Sequence, residues 1–397
     1  MKNNKQLSLL VCTLLVASAS ASSANISFNG FASIIAGATL DKDEAAFGYD
    51  NNIAFDQESR FALQVTAQVS EQFSATAQMI ARGRFDYDTV LEWAYISYTP
   101  DRNNTLTAGR IRIPFYRLSE YIDTGYAYPW LRVPKNVYNS SFNSWDGLSW
   151  MNNHYLGNID GRFQLQWGNL SDSDLVTRTG SVIEIDFEGF ALEYVATSGS
   201  WQGRLGYIKS EIEVISSLNA AFNAAISGIE NNTDFTVPKE YTSNFLLDGD
   251  TLTFISASIM YDDGEIFLGG EIIDATYDDL SINPDIEAWY ISAGYYLNDW
   301  TFHFTYGITD RGKRQHTDLV DESTVDPALN QLLQGITNGY TARGALAGED
   351  SDFYTLGVNY GFHQNAVLKM EFTRYENDID VSFSDADILS IGIDLVF

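Results

Sequence analysis

Arg60, Arg82, Arg84, Arg110 and Arg112 fall, when the chain is read in twos, on the polar face of neighbouring extended segments, and Glu92 lies among them. Guanidinium groups on adjacent strands form a basic wall. The segment that follows runs from Pro114 to about Trp145, PFYRLSEYIDTGYAYPWLRVPKNVYNSSFNSW, and offers Glu120 and Asp123 beside Arg117, Arg132 and Lys135. A basic wall facing an acidic segment makes a transverse field that orients dipolar solutes and sieves ions. The same arginines also suit a second role, pinning the segment through its carboxylates. Arg110 and Arg112 lie two apart just before Pro114, so they are expected to share one face nearest the narrow zone.

Catalytic chemistry has little support. The four histidines, His154, His303, His316 and His363, lie on separate elements with no Ser or Asp at a telling spacing. No catalytic residue, metal site or cofactor is expected. The acidic runs DKDE (41–44) and ENDID (376–380) lack a calcium-loop pattern and read as solvated loops, weak divalent-ion bridging being the lesser possibility. The basic run RGKRQH (311–316) suits anionic lipid headgroups or no specific partner.

These side chains need elements to position them, and composition restricts the choice. Lys2 and Lys5 precede an apolar run, Leu7 to Ala17, and then SASASSA, the pattern of a cleaved secretory signal. Residues 1–24 are therefore expected to be removed, with cleavage after Ala24 preferred to Ala21, leaving 25–397. Cys12, the sole cysteine, leaves with the signal, which excludes disulfides and thiol chemistry. Of 23 basic residues, the loss of Lys2 and Lys5 leaves 21 against 53 acidic, a net charge of −32. Nucleic acid is an improbable partner for such a chain. With 45% hydrophobic and 14% aromatic residues the chain should nevertheless be ordered. No apolar run after the signal is long enough for a membrane-spanning helix, so residence in a membrane requires a closed barrel.

Period-2 segments recur sixteen times: 26–40, 59–69, 73–84, 89–98, 104–113, 146–156, 161–168, 181–197, 201–213, 251–261, 265–275, 286–296, 300–309, 352–362, 365–375 and 386–397. Their linkers alternate between short turns, such as SGS (198–200) and LND (297–299), and mostly longer acidic loops. An even strand count places both termini at the short-turn end. The segment 181–197 is read as one strand, although EGF (188–190) could turn. Trp300, Phe302, Phe304 and Tyr306 project one way, and Thr301, His303, Thr305 and Gly307 the other. Inner faces that stay polar on strand after strand have no sandwich core to fill. The expected fold is all-β, a sixteen-stranded antiparallel transmembrane barrel.

The last segment, ILSIGIDLVF, sets Leu389, Ile391, Ile393, Leu395 and Phe397 on one face and ends on an aromatic ring. With the signal peptide, the sixteen alternating strands and the acidic, cysteine-free mature chain, it resembles a Gram-negative general porin over nearly the whole length. The resemblance implies passive diffusion of small hydrophilic solutes and ions through an outer-membrane channel, contact with lipid and lipopolysaccharide, and a homotrimer. It implies that Phe397 is read by the barrel-assembly machinery before the last strand closes against the first. It also implies that the third long loop, Pro114 to Trp145, folds inward. The loop lacks the family's PEFGGD-type motif, so its location carries over but no individual residue does. A channel selective for an anionic or sugar solute, or a barrel acting as adhesin, phage receptor or enzyme, is the alternative. Small residues on the expected outward face of the first three strands, Ala32, Ala36, Ala38, Ala75, Ala77 and Ala81, suit a subunit contact. The acidic surplus suggests a slight preference for cations, which the arginine ladder opposes locally.

Overall fold

The computed structural model describes residues 25–140, 142–176, 182–215, 217–231, 250–277, 285–312, 326–341, 350–377 and 385–397. The expected signal segment, His316, most of RGKRQH and the end of ENDID lie outside them. Sixteen strands form one closed antiparallel barrel in chain order. The first eight are β1 (Asn25–Thr39), β2 (Arg60–Gln68), β3 (Phe73–Arg82), β4 (Thr89–Tyr98), β5 (Asn104–Arg112), β6 (Ser144–Leu156), β7 (Ile159–Val176) and β8 (Val182–Ser198). The second eight are β9 (Trp201–Ile215), β10 (Asp250–Asp262), β11 (Ile266–Tyr277), β12 (Ile286–Leu297), β13 (Trp300–Arg311), β14 (Ser351–His363), β15 (Ala366–Asn377) and β16 (Ala386–Val396).

The faces are inverted relative to a soluble protein. Leu205 is 62% exposed while its neighbour Arg204 is 3% exposed, and the same contrast separates Phe304 from Thr305. Apolar side chains point outward and polar ones point into the lumen, as hydrocarbon outside and water inside require. Stacked aromatic pairs near the short turns, Phe73 with Tyr98 and Trp300 with Tyr360 at 4.6 Å each, form the girdle of one interface.

Closure follows from the last strand. β16 pairs with β1 from Phe31 opposite Val396 to Thr39 opposite Ile388. Phe397 continues the ladder: its carbonyl accepts from Gly30 N–H at 2.8 Å and its own N–H donates to Gly30 O at 2.9 Å. Its ring stacks on Phe61 at 5.9 Å. The sheet thus has no free edge.

The segment expected as one strand is a single strand, β8 (Val182–Ser198), and β7 is longer than the expected 161–168. Gly189, inside EGF, is no turn residue: it lies opposite Gly168 and Ser210, and a Cβ there would meet Lys209 O at 2.4 Å. Among the described residues, two α-helices occupy long connections that carried no strand signal, α1 (Ser217–Glu230) and α2 (Pro327–Thr341). Asp326 caps α2 by accepting the Ala328 N–H at 2.8 Å, and Pro327 takes the first helical position.

Candidate pore constriction

The segment between β5 and β6 is rich in large apolar side chains that water would not solvate, and it buries them inside the barrel. Phe115, Leu118, Trp130, Val137 and Tyr138 pack with Trp145, Phe187, Phe254 and Tyr290 into the main hydrophobic cluster. Its backbone polar groups must then find partners on the inner wall. β9 and β10 supply the first, where Arg204 donates to Pro114 O at 2.5 Å and Ser256 to Phe115 O at 2.8 Å. Glu271 on β11 accepts the Arg117 N–H at 2.7 Å, and Trp130 Nε1 donates to Thr305 Oγ1 on β13 at 2.8 Å. Asn359 on β14 donates to Pro129 O at 2.9 Å. The loop therefore spans the lumen from β9 to β15.

The strongest attachment comes from β15 and β16. Lys369, with 1% of its side chain exposed, donates to three loop carbonyls, Gly125 O at 2.6 Å, Tyr128 O at 2.7 Å and Trp130 O at 2.9 Å. Asp394 balances its charge at 2.9 Å. Two residues on, Glu371 accepts the Leu131 N–H at 2.7 Å. A buried ammonium that satisfies three carbonyls and a carboxylate is held by geometry more than by charge.

Arg82 and Arg112 act as a pair. Arg82 meets Glu92 at 2.8 Å and Asp123 at 2.8 Å, while Arg112 meets the same two carboxylates at 2.6 and 3.1 Å. A β-bulge in β4 makes this possible. The register slips between Gln78 and Met79, so that Glu92 turns inward beside Trp93. Burial would push the Asp123 carboxyl up, but Arg82 and Arg112 hold it well below the usual carboxylate range. Arg132 donates to Glu58 at 2.9 Å and lies over the Phe47 and Tyr49 rings, which joins the inward loop to the connection 40–59. Arg60 donates to Tyr128 Oη at 2.8 Å, and Arg84 lies over Phe85 at 4.5 Å. Glu120 reaches Arg162 at 3.4 Å.

Arg110 departs from expectation. It is opposite Ala94 and Asp146, on the outer surface, where it forms a two-pronged pair with Asp146 at 3.0 Å. Gly109, with φ of +130°, lies opposite Tyr95 and Gly147, and a Cβ there would meet Ala94 O at 2.3 Å. Arg110 keeps phase with Leu106 and Ala108, which face outward, while Thr107 and Ile111 face in; the alternation breaks only after Ile111, where Arg112 turns in as the strand ends. Arg110 and Arg112 therefore lie on opposite sides of the wall.

The loop leaves a passage on the opposite side, against β4 to β9, with a cavity of about 1180 Å³. Arg102, Arg112, Arg117, Arg162 and Arg204 line it against Glu120, Asp160 and Glu193, with Trp93, Tyr95 and Tyr121 between them. Arg162 and Arg204 share Glu193 at 3.2 and 2.6 Å. Above the cavity, the cations Arg60, Arg82, Arg84, Arg132 and Lys135 gather around Glu58, Glu92 and Asp123. Cations exceed carboxylates at both levels, in a chain whose acidic residues outnumber basic ones 53 to 23. Arg162, Glu193, Arg204, Glu58, Lys369 and Glu371 escaped the sequence reading. Their signal was a single charge on the polar side of an alternating segment, as in Lys369, Glu371 and Thr373 against Leu368, Met370 and Phe372.

The three described histidines stay apart: His303 is buried in the wall, His154 stacks on Tyr194 at 5.7 Å and His363 is exposed. Among the described residues, no group of three His, Cys, Asp or Glu side chains is placed to hold a metal ion.

Solved structures share the fold at low sequence identity. The trimer form of OmpT, an outer membrane protein of Vibrio cholerae, matches with 12% identity and a TM-score of 0.56, over 95% of this chain and 100% of that one. The outer membrane channel DcaP of Acinetobacter baumannii matches with 11% identity and a TM-score of 0.58, over 94% and 98%. An anion-selective porin from Comamonas acidovorans matches with 11% identity and a TM-score of 0.54, over 94% and 100%. No curated protein matches the chain in sequence. The family model for Gram-negative porins matches residues 11–380, nearly the whole of a chain that folds as a sixteen-stranded barrel, and the chain belongs to that family.

Proposed function

We propose that the protein is an outer-membrane porin through which small hydrophilic solutes and ions diffuse passively, with a constriction that favours anions. The observation that carries this reading is the loop pinned across the lumen by Lys369, Glu371 and Glu271 beside an open passage of about 1180 Å³. The anion preference rests on the surplus of arginine and lysine along that passage, and replaces the slight cation preference suggested by composition. Exposed acidic loops are screened within about 8 Å at physiological salt, whereas partly buried charges inside the narrow zone are screened much less. The chain works as a channel and not as an enzyme.

Residues 1–24 act as the export signal, and Phe397 closes the barrel after being read by the assembly machinery. Lipid and lipopolysaccharide surround the outer face. A homotrimer forms through β1 to β6; the trimer form named for OmpT supports the oligomeric state. On that exterior, Ala77 and Ala94 lie in one cross-strand row with Arg110 and Asp146. Small side chains allow close subunit approach, and a charge pair in that row is better placed against protein than against acyl chains. Purified protein in planar bilayers should give stepwise ohmic conductance, and proteoliposomes should swell in small neutral sugars. Absence of both would overturn the proposal.

A further inference from the structure

Trp93, Tyr95 and Tyr121 line the open passage, and none of the three stacks on another aromatic ring among the described residues. Trp93 and Tyr95 lie two apart on one face of β4, about 6.6 Å along the strand, and Tyr121 comes from the inward loop. Each ring is backed on one side. Tyr95 and Tyr121 pack against the main hydrophobic cluster, and the Arg112 guanidinium lies 5.2 Å from the centre of the Trp93 ring. All three are half-buried, so their other sides front the passage. The polar groups beside them are largely neutral. Trp93 is opposite Gln78, and Gln78 is opposite Gln64. Gln78 donates to Gln64 Oε1 at 3.2 Å, which leaves the Gln64 amide N–H groups without a described partner where that side chain lines the passage. Ser97, Thr107 and Ser149 form one cross-strand row of hydroxyls further along the same wall. The carboxylates nearby are engaged, Glu120 by Arg162 and Glu193 by Arg162 and Arg204.

We infer that this stretch of the passage binds a neutral sugar, its C–H faces on Trp93, Tyr95 and Tyr121 and its hydroxyls on Gln64 and the hydroxyl row. The inference rests on the pore reading and adds to it a substrate class. A sugar ring carries two chemistries at once, apolar C–H faces and hydroxyls that both donate and accept. Aromatic faces are electron-rich and suit the first, and amides and hydroxyls, which also donate and accept, suit the second. A purely apolar solute would leave the amides without partners, and an inorganic anion gains nothing from the rings. Rings already backed by the cluster and by Arg112 lose little freedom on binding, so the contact is not offset by ordering. The cavity of about 1180 Å³ exceeds the roughly 300–1,000 Å³ that holds a drug-sized ligand, so a short oligosaccharide fits.

The test is single-channel current in potassium chloride titrated with maltotriose, with a polyethylene glycol of equal mass as the ring-free control. Wild-type channels should show interruptions that saturate with maltotriose, and only a proportional loss of current with the glycol. Trp93→Ala and Gln64→Leu should each raise the half-blocking concentration about fivefold, or about 1 kcal/mol. Trp93→Phe should retain most of the block. Gln64→Leu nearly keeps the side-chain volume and leaves the Trp93–Arg112 contact in place, so it decides the matter should Trp93→Ala fail to assemble. Unsaturable loss of current with maltotriose, matching the glycol, would overturn the sugar site and leave the pore reading standing. So would one half-blocking concentration shared by wild type and the Ala and Leu variants. Channels that carry no current at all would overturn the pore reading, and the site with it.

Discussion

Replacing Lys369 by Met should free the inward loop while leaving the barrel closed. The ammonium is buried and makes three hydrogen bonds to loop carbonyls and one ion pair to Asp394. Removing one partner of a buried pair costs about 3–5 kcal/mol, because the other charge is left uncompensated. Hydrogen bonds to a charged donor are worth about 1.5–3 kcal/mol each, but the carbonyls can recover part of this from water once the loop lifts. At the lower limit of about 3 kcal/mol, the ratio of docked to undocked loop falls more than about a hundredfold. The sheet ladder from β1 to β16 is untouched, so heat-modifiable folded barrel should still form. Single-channel recordings should then show enlarged, noisy conductance with frequent transitions between levels. Adding Asp394→Asn removes the stranded carboxylate and should quieten the traces in part. Wild-type conductance without added noise in Lys369→Met would refute the idea that this ammonium holds the loop.

Arg112→Gln should reduce anion preference, since it removes a lumenal charge, while Arg110→Gln should leave ion preference alone and weaken the oligomer on native gels; equal effects of the two on reversal potential would contradict their placement on opposite sides of the wall. Deleting Phe397 removes two backbone hydrogen bonds to Gly30 and the ring stacked on Phe61, and should lower the yield of folded barrel in outer membranes without blocking secretion; normal yield would sink the assembly role. Glu58 favours the Lys135 charge, yet burial and the cations Arg84, Arg132 and Arg60 lower the ammonium to about 8; it is charged below that value and neutral above it, so anion preference should decline as pH rises through about 8. Lys135→Met should flatten that profile, and a wild-type profile unchanged between about pH 7 and 9 would count against it.

Strand number and inside-out alternation were legible because the lipid and water faces impose a strict period of two on every stave. The boundaries of β4, β12 and β13 follow directly from runs such as TFHFTYGIT. Legibility failed where the alternation breaks. Arg110 stays in phase with Leu106 and Ala108 on the outer face and Arg112 leaves that phase at the strand's end, while the bulge at Glu92 brings that carboxylate in; neither departure announces itself in residue types alone. The inward loop was located from the resemblance to general porins, as the third long loop after β5. Some of its anchors lie on strands more than a hundred residues away, where single charges such as Lys369 and Glu371 look like ordinary polar-face residues. The helices α1 and α2 lie in connections with no alternation to read, and the Asp326–Pro327 start of α2 went unread.

The most direct test of the central claim, a lumen whose loop-built narrow zone is basic within an acidic protein, is the reversal potential of purified channels in a potassium chloride gradient. At physiological salt and above, where acidic mouths are screened within about 8 Å, the account predicts a potential of the sign that marks chloride as the more permeant ion. A potential of the opposite sign, maintained at high salt, would mean that the arginines are neutralised by their carboxylate partners and only brace the loop.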